Sequence, residues 1–389
     1  MKGPVCSGAP DAPRHDPVGW TRYRGRLAAL AYELGNPELD DRLRRLVGDA
    51  SENVNQDLID ELMTTVLKLH RDGATRGDLK LINTALKEMR YSNLVFSRHQ
   101  EPKVTIYGSA RAREGDPNYE LTVEFARLMV ENGWGVITGA GPGIMEAGNK
   151  GAGVDNSYGV NIRLPFEAEP NRYLADERTV NFKYFFTRKL GFVKESHAFV
   201  ILPGGYGTLD EAFELLTLIQ TGKSDLHPIV LLEAEGSGYW QPVVDFMRDV
   251  QLAGGMISEA DLSLFLYTTD PGEACHYITQ FYTNYHSQRY AGGRLILRLR
   301  QAPSAVEMAI LNVEFADIVV EGEIELAEPT TAEIEDNDAL DLDRIAFVFD
   351  RRQFGRLHHM IDRLNQIAHL PETTSLPEPM TEEQAERPW

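Results

Sequence analysis

The chain has 389 residues, 42% of them hydrophobic and 25% charged, with a formal net charge of −20 at pH 7, the composition of folded domains with room for two or three cores. No apolar run approaches the about 18 residues that a bilayer span needs. The first residues lack the apolar core of a secretory signal, and two isolated cysteines, Cys6 and Cys275, support neither a disulfide framework nor a zinc site, so a cytoplasmic chain is expected. The acidic balance argues against nucleic acid and membrane as partners, because phosphate contacts need clustered Lys and Arg; a small anion held at a local site remains compatible with it.

In chain order, residues 1–16 read as a disordered leader. Residues 17–100 form a helical region, with apolar positions at three- and four-residue spacing in "WTRYRGRLAALAYELG", "LDDRLRRLVGDAS", "QDLIDELMTTVLKLHRDG" and "RGDLKLINTALKEMRYSNLVFSRH". Over residues 101–285 the pattern changes. Six short apolar runs, "KVTIYGSA", "GVITGAG", "SYGVNIRLP", "AFVILPGG", "HPIVLLE" and "LSLFLYTT", alternate with amphipathic helical stretches. Near-continuous apolar strands between helices predict a doubly wound, Rossmann-like α/β fold whose parallel sheet is covered on both faces, with ligands beyond the carboxyl ends of the strands. After "NYHSQRYAGG", residues 286–370 read strand, helix, strand, acidic loop, strand, helix, the order of a small α+β module of ferredoxin-like type. The acidic stretch from Glu321 to Asp343 is expected to be a solvated loop, and 371–389 a disordered tail.

Three glycine turns end predicted strands: "YGSAR" with Gly108 and Ser109, "TGAGPGIMEAG" with Gly139, Gly141, Gly143 and Glu146, and "PGGYGTLDE" with Gly204, Gly205, Gly207, Thr208 and Glu211. Glycine lets the backbone approach a ligand closely, and a helix that starts after it aims free N–H groups at an anion. None has the phosphate-loop Lys-Ser/Thr ending or the full dinucleotide spacing, so a single phosphate, as in a nucleoside monophosphate, fits best. Thr208 and Glu211 have capping-box spacing, so Glu211 is either a helix cap or a chemical group. Arg188 and Lys189, among Phe182, Tyr184, Phe185, Phe186 and Phe192, are either a basic pair lying over apolar surface or a clamp for a base, phosphate or carboxylate.

Together, "GSAR", "TGAGPGIMEAGNKGA", "VNIRLPFEAEPNRY", "YFFTRKLGFVKES" and "LPGGYGTLDEAFELLTLIQTGK" resemble the LOG (Lonely Guy) family of phosphoribohydrolases, long labelled lysine decarboxylases. The resemblance covers residues 100 to 285 and implies an enzyme that cleaves the N-glycosidic bond of a nucleoside 5'-monophosphate, AMP-like or a cytokinin nucleotide, without a cofactor or metal. It implies Arg188 and Glu211 as catalytic residues. Gly204, Gly205, Gly207 and Thr208 would hold the 5'-phosphate, with Gly139 to Gly143 and Glu146 closing over the nucleotide, Gly108, Ser109 and Lys189 alongside, and the "ELLTLIQTGK" helix near a homo-oligomer interface. Ala140 departs from the family, which has a third glycine there. A carboxylate below an oxocarbenium-like sugar stabilises it and orients or deprotonates water; Arg188 either stabilises the leaving base or holds the glutamate. The decarboxylase label requires a pyridoxal Schiff-base lysine, and neither Lys189 nor Lys223 sits in an apolar run suited to that role. The competing reading is a noncatalytic nucleotide sensor signalling through the C-terminal module, for which the carboxylate would be superfluous.

Overall fold

A computed structural model describes residues 34, 36–50, 56–162 and 170–367. The leader, the predicted helix over 20–35, part of the "VNIRLPFEAEPNRY" stretch and the tail lie outside them. The chain divides into two compact units, Met1–Asn83 and Thr84–Trp389. The first holds helices Pro37–Ala50 and Gln56–Arg71 and the start of Arg76–Phe96, whose N-terminus is closed by reciprocal bonds between Thr75 and Asp78. The division thus falls inside the third helix, before residue 100.

The second unit carries a seven-stranded parallel sheet in the order β4-β3-β2-β1-β5-β6-β7. Its strands are β1 (Lys103–Tyr107), β2 (Gly135–Thr138), β3 (Ser157–Ile162), β4 (Thr179–Phe182), β5 (Ala198–Ile201), β6 (Ile229–Leu232) and β7 (Phe265–Thr268). Every residue of β1, β2, β5 and β6 is buried, as expected of strands covered on both faces. Six strands match the predicted runs; β4, "TVNF", has Asn181 in place of an unbroken apolar run and carries no strand signal. The order reverses between β1 and β5, so the turns after these strands flank the crevice where open α/β sheets place their ligands.

The same unit contains a four-stranded antiparallel sheet, order β10-β11-β9-β8, from β8 (Tyr285–Ala291), β9 (Arg294–Leu299), β10 (Val319–Leu326) and β11 (Asp343–Phe349). It has one strand more than expected. "YHSQRYA" is itself a strand, turned back by Gly292 and Gly293, both at positive φ, with Ala291 opposite Arg294: a two-residue hairpin of the kind Gly-Gly favours. Helix Phe354–Ile367 packs this sheet against the α/β core. A Cβ on Gly222 would sit 2.1 Å from Phe354 Cζ, and Asn365 accepts from the N–H groups of Asn284 and Tyr285 at 2.9 Å while donating to the Phe281 carbonyl at 2.7 Å. On edge strand β10, the Asn312 side chain makes both hydrogen bonds to the Ile324 backbone, at 2.7 and 2.8 Å.

The acidic stretch is not a solvated loop. It contributes β10 and the short helix Thr331–Asp336, and it delivers buried Glu333 and Asp338 to buried Arg298 and Arg344. Arg298 donates to Glu333 at 2.9 Å and to Asp338 at 3.0 Å, and Arg344 to Glu333 at 3.3 Å. Burial works to raise the Glu333 carboxyl, but the Thr330 N–H and hydroxyl and the Arg298 guanidinium outweigh it and hold it down at about 2. The acids in that stretch read as solvated because their arginine partners come from other strands.

Candidate active site

The turns after β1, β2 and β5 meet at the C-terminal edge of the sheet. The Ser109 N–H donates to the Pro203 carbonyl at 3.1 Å and the Ile144 N–H to the Ser109 carbonyl at 3.0 Å. A Cβ on Gly108 would lie 2.5 Å from Ile144 Cγ2, and one on Gly143, at φ +72°, 2.3 Å from the Ser109 carbonyl. Gly139 and Gly141 leave room for Met145, and Gly139 also for the Arg188 guanidinium, 2.4 Å from where its Cβ would be; Gly204 makes way for Thr208 Oγ1 at 2.1 Å. These glycines are fixed by internal packing. Gly205 and Gly207 are not: a Cβ on either meets nothing within 4 Å, and neither has positive φ, so their bare backbone faces open space.

Helix Tyr206–Gln220 starts at N-cap Gly205, which no side chain caps. This corrects the capping-box expectation. Thr208 lies in the first turn and Glu211 one turn further on, and the N–H groups of Tyr206, Gly207 and Thr208 precede the first intrahelical bond, from Leu209 to Gly205 at 3.2 Å. The helix start therefore presents donors and a positive dipole end beside the open glycines.

Glu211 follows on the buried side, its side chain 12% exposed. Burial pushes its carboxyl up to about 7; the Lys189 and Arg188 charges pull it down and Glu214 and Asp210 add to the rise. Lys189 comes from helix Phe185–Glu195. Its ammonium lies 2.8 Å from Asp210, 2.9 Å from Glu214 and 3.9 Å from Glu211. Burial disfavours that ammonium, but the bonds to Asp210 and Glu214 leave it more firmly protonated than usual. Arg188, from the same helix, donates through Nε to the Val160 carbonyl at 2.9 Å and through Nη2 to the Gly139 carbonyl at 3.4 Å, with its guanidinium over the Phe192 ring. The basic pair thus both lies over an aromatic ring and ties the turns together: Arg188 reaches the second glycine turn and Lys189 the acids of the third. Glu146 stands apart, its nearest charge Arg172 at 4.0 Å.

Several supporting residues escaped the sequence reading. Tyr239 donates its hydroxyl to the Gly204 carbonyl at 2.8 Å, and Trp240 Nε1 bonds the Ile201 carbonyl at 3.1 Å, anchoring the third turn from the loop after β6. Asn171 bonds the Ala140 and Gly141 carbonyls at 3.3 and 3.2 Å and Asn149 at 2.9 Å. Ala140 itself is buried at φ +65°, a left-handed conformation that disfavours a side chain, which explains why a glycine suits that position. Buried Glu88 accepts from the Lys183 N–H at 2.7 Å and the Thr187 hydroxyl at 2.6 Å, fixing the start of the helix that carries Arg188. Such contacts, between residues 22 to 99 apart in the chain, leave no local pattern.

A parallel α/β sheet with three interlocked glycine turns, an uncapped helix start and a buried acid one turn beyond the open glycines makes a candidate site for an anion beside a carboxyl. Residues 139–278 match the family model described as "Possible lysine decarboxylase". The chain is 28% identical over 165 residues to the cytokinin riboside 5'-monophosphate phosphoribohydrolase LOG of Oryza sativa subsp. japonica, covering 40% of this chain and 64% of that protein. It is 44% identical over 71 residues to the phosphoribohydrolase LOG1 of Arabidopsis thaliana, covering 18% and 32%. It therefore spans from about a third to just under two thirds of these relatives. Among solved structures, the molybdenum cofactor carrier protein of Chlamydomonas reinhardtii is 19% identical over 46% of this chain and 97% of that one, with a TM-score of 0.31. The matched segment is similar to the LOG phosphoribohydrolases. Among the described residues, no helix is long and apolar enough to cross a membrane.

Proposed function

We propose that this chain hydrolyses the N-glycosidic bond of a nucleoside 5'-monophosphate, AMP-like or a cytokinin nucleotide, to free base and ribose 5-phosphate. The observation that carries this reading is Glu211, a buried carboxyl pushed up to about 7, one helical turn beyond the open backbone of Gly205 and Gly207. The 5'-phosphate lies on the N–H groups of Gly205 to Thr208, with Gly204 shaping the turn. That brings the ribose over Glu211, with Gly139, Gly141, Gly143 and Glu146 on one side and Gly108 and Ser109 behind. The bond from C1' to the base nitrogen breaks, positive charge develops on the sugar above the Glu211 carboxylate, and water attacks C1'. Water's proton passes to the carboxylate and then to the departing base, which Arg188 steadies. Lys189 serves the acid rather than the sugar.

The catalytic segment is 101–285, with 286–370 as an added module, and the chain works as a cytoplasmic homo-oligomer. Incubation with AMP, GMP, CMP, UMP and isopentenyladenosine monophosphate tests the reaction: free base from at least one is expected, and none from folded protein sinks it. Light scattering tests assembly, with a monomer at micromolar concentration as the contrary result.

A further inference from the structure

Tyr107 closes β1 at the point where the strand order reverses, opposite Ile201 of β5. Thr105, two residues earlier on the same face, meets Ser196, the C-cap residue of the helix that carries Arg188, so strand alternation directs Tyr107 to the face bearing the Arg188 and Glu211 helices. Its ring packs edge-on to Phe192 at 5.0 Å and stacks on Phe199 at 6.4 Å. Phe192 is also the ring under the Arg188 guanidinium. The side chain is 7% exposed, and its hydroxyl is one of the few buried polar atoms with no hydrogen-bond partner among the described residues. An orphaned buried hydroxyl costs about 1–3 kcal/mol, and at a sheet switch point the natural reason to retain one is a partner that arrives with the reaction.

The charged groups around it narrow that partner. Burial, then Glu211, work to keep the phenol protonated; Arg188 opposes and Glu214 adds to them. The Glu211 carboxylate has Lys189 at 3.9 Å, beyond hydrogen-bond length, since that ammonium is taken by Asp210 and Glu214. Among the described residues, a hydroxyl with no acceptor and a carboxyl with no hydrogen-bond donor share one face of the sheet edge. We propose that Tyr107 is a positioning residue, its hydroxyl turning to donate to the Glu211 carboxylate when the sugar phosphate binds and holding it ionised below the sugar. This rests on the hydrolase reading for its purpose but not for its test.

Tyr107→Phe removes the hydroxyl and keeps the ring. The Glu211 carboxyl is followed by infrared titration of the full chain, assigned by difference from Glu211→Gln, without and with ribose 5-phosphate. A donor to the ionised form lowers a carboxyl pKa, so the variant is expected to bind the Glu211 proton about tenfold more tightly, one pH unit. Its thermal midpoint is expected to be unchanged or higher, because no structural hydrogen bond is lost. Coincident titrations of wild type and variant in both conditions overturn the proposal, and so does a lower midpoint with an unmoved titration, which would make the hydroxyl structural. If wild type releases no base while the Glu211 titration still moves in Tyr107→Phe, the hydrolase reading fails and the pairing stands.

Discussion

Tyr239 donates its hydroxyl to the carbonyl of Gly204 at 2.8 Å, so the proposed phosphate turn is held by a residue outside its own motif. Tyr239→Phe removes one bond from that turn and leaves the acid and the arginine in place. KM for AMP is expected to rise about fivefold to tenfold, the worth of one hydrogen bond, with kcat within about twofold. Steady-state kinetics check this, and an equal fall in kcat would show that the turn is not a binding element.

Glu211 works as a carboxylate, so activity is expected to fall as pH drops through about 7. Glu211→Gln should lower kcat at least about a hundredfold while the affinity for AMP is kept. Stability runs the other way. The folded pKa lies above the ordinary value of 4.5, so the neutral acid's contribution is complete below about 4.5 and is lost as pH rises to about 7, roughly 3 kcal/mol by linkage. Glu211→Gln should therefore melt higher than wild type at pH 8, by scanning calorimetry.

Lys189 joins three carboxylates from one neighbouring helix. Lys189→Met leaves Asp210, Glu211 and Glu214 facing one another, and the acid limb of the kcat/KM profile is expected to move up by about one pH unit. An unmoved limb would show that the lysine does not act on the acid.

Ala140 sits at φ +65°. The left-handed conformation costs an L-residue about 1–2 kcal/mol, and glycine's greater freedom when unfolded returns about 0.5–1 of that. Ala140→Gly should raise stability by roughly 0.5–1 kcal/mol in urea titrations.

The Arg298, Glu333 and Asp338 cluster predicts acid sensitivity. Glu333 is held at about 2 against an ordinary 4.5, so its stabilisation is present above about 4.5 and lost as pH falls towards 2. Arg298→Met leaves buried Glu333 the guanidinium of Arg344 and Asp338 that of Arg289, and is expected to cost about 1.5–3 kcal/mol at pH 7, the worth of hydrogen bonds to charged groups, measurable by denaturant unfolding.

Much of this site was legible because its parts are local: a glycine turn, the acid three residues past Thr208, and Arg188 on the preceding helix lie within short windows of sequence. The capping-box reading places the helix start three residues late, since capping spacing at Thr208 and Glu211 outweighs a bare Gly205 that a side-chain rule cannot see. Strand β4 and strand β8 were lost to polar residues, Asn181 in one and His286, Gln288 and Arg289 in the other. What stayed hidden is what the fold assembles at a distance. Tyr239 on Gly204, Glu88 on Thr187 and Arg298 on Glu333 are chemical pairs with no periodicity between them.

The Asn312 side chain that bonds both the N–H and the carbonyl of Ile324 does more than tether a helix to a strand. The rim of an open antiparallel sheet is a template on which a foreign strand can zip, and template pairing needs successive unoccupied peptide groups. With Ile324, six residues into the eight of β10, already spoken for, a visiting strand on this edge finds the ladder interrupted by a single amide.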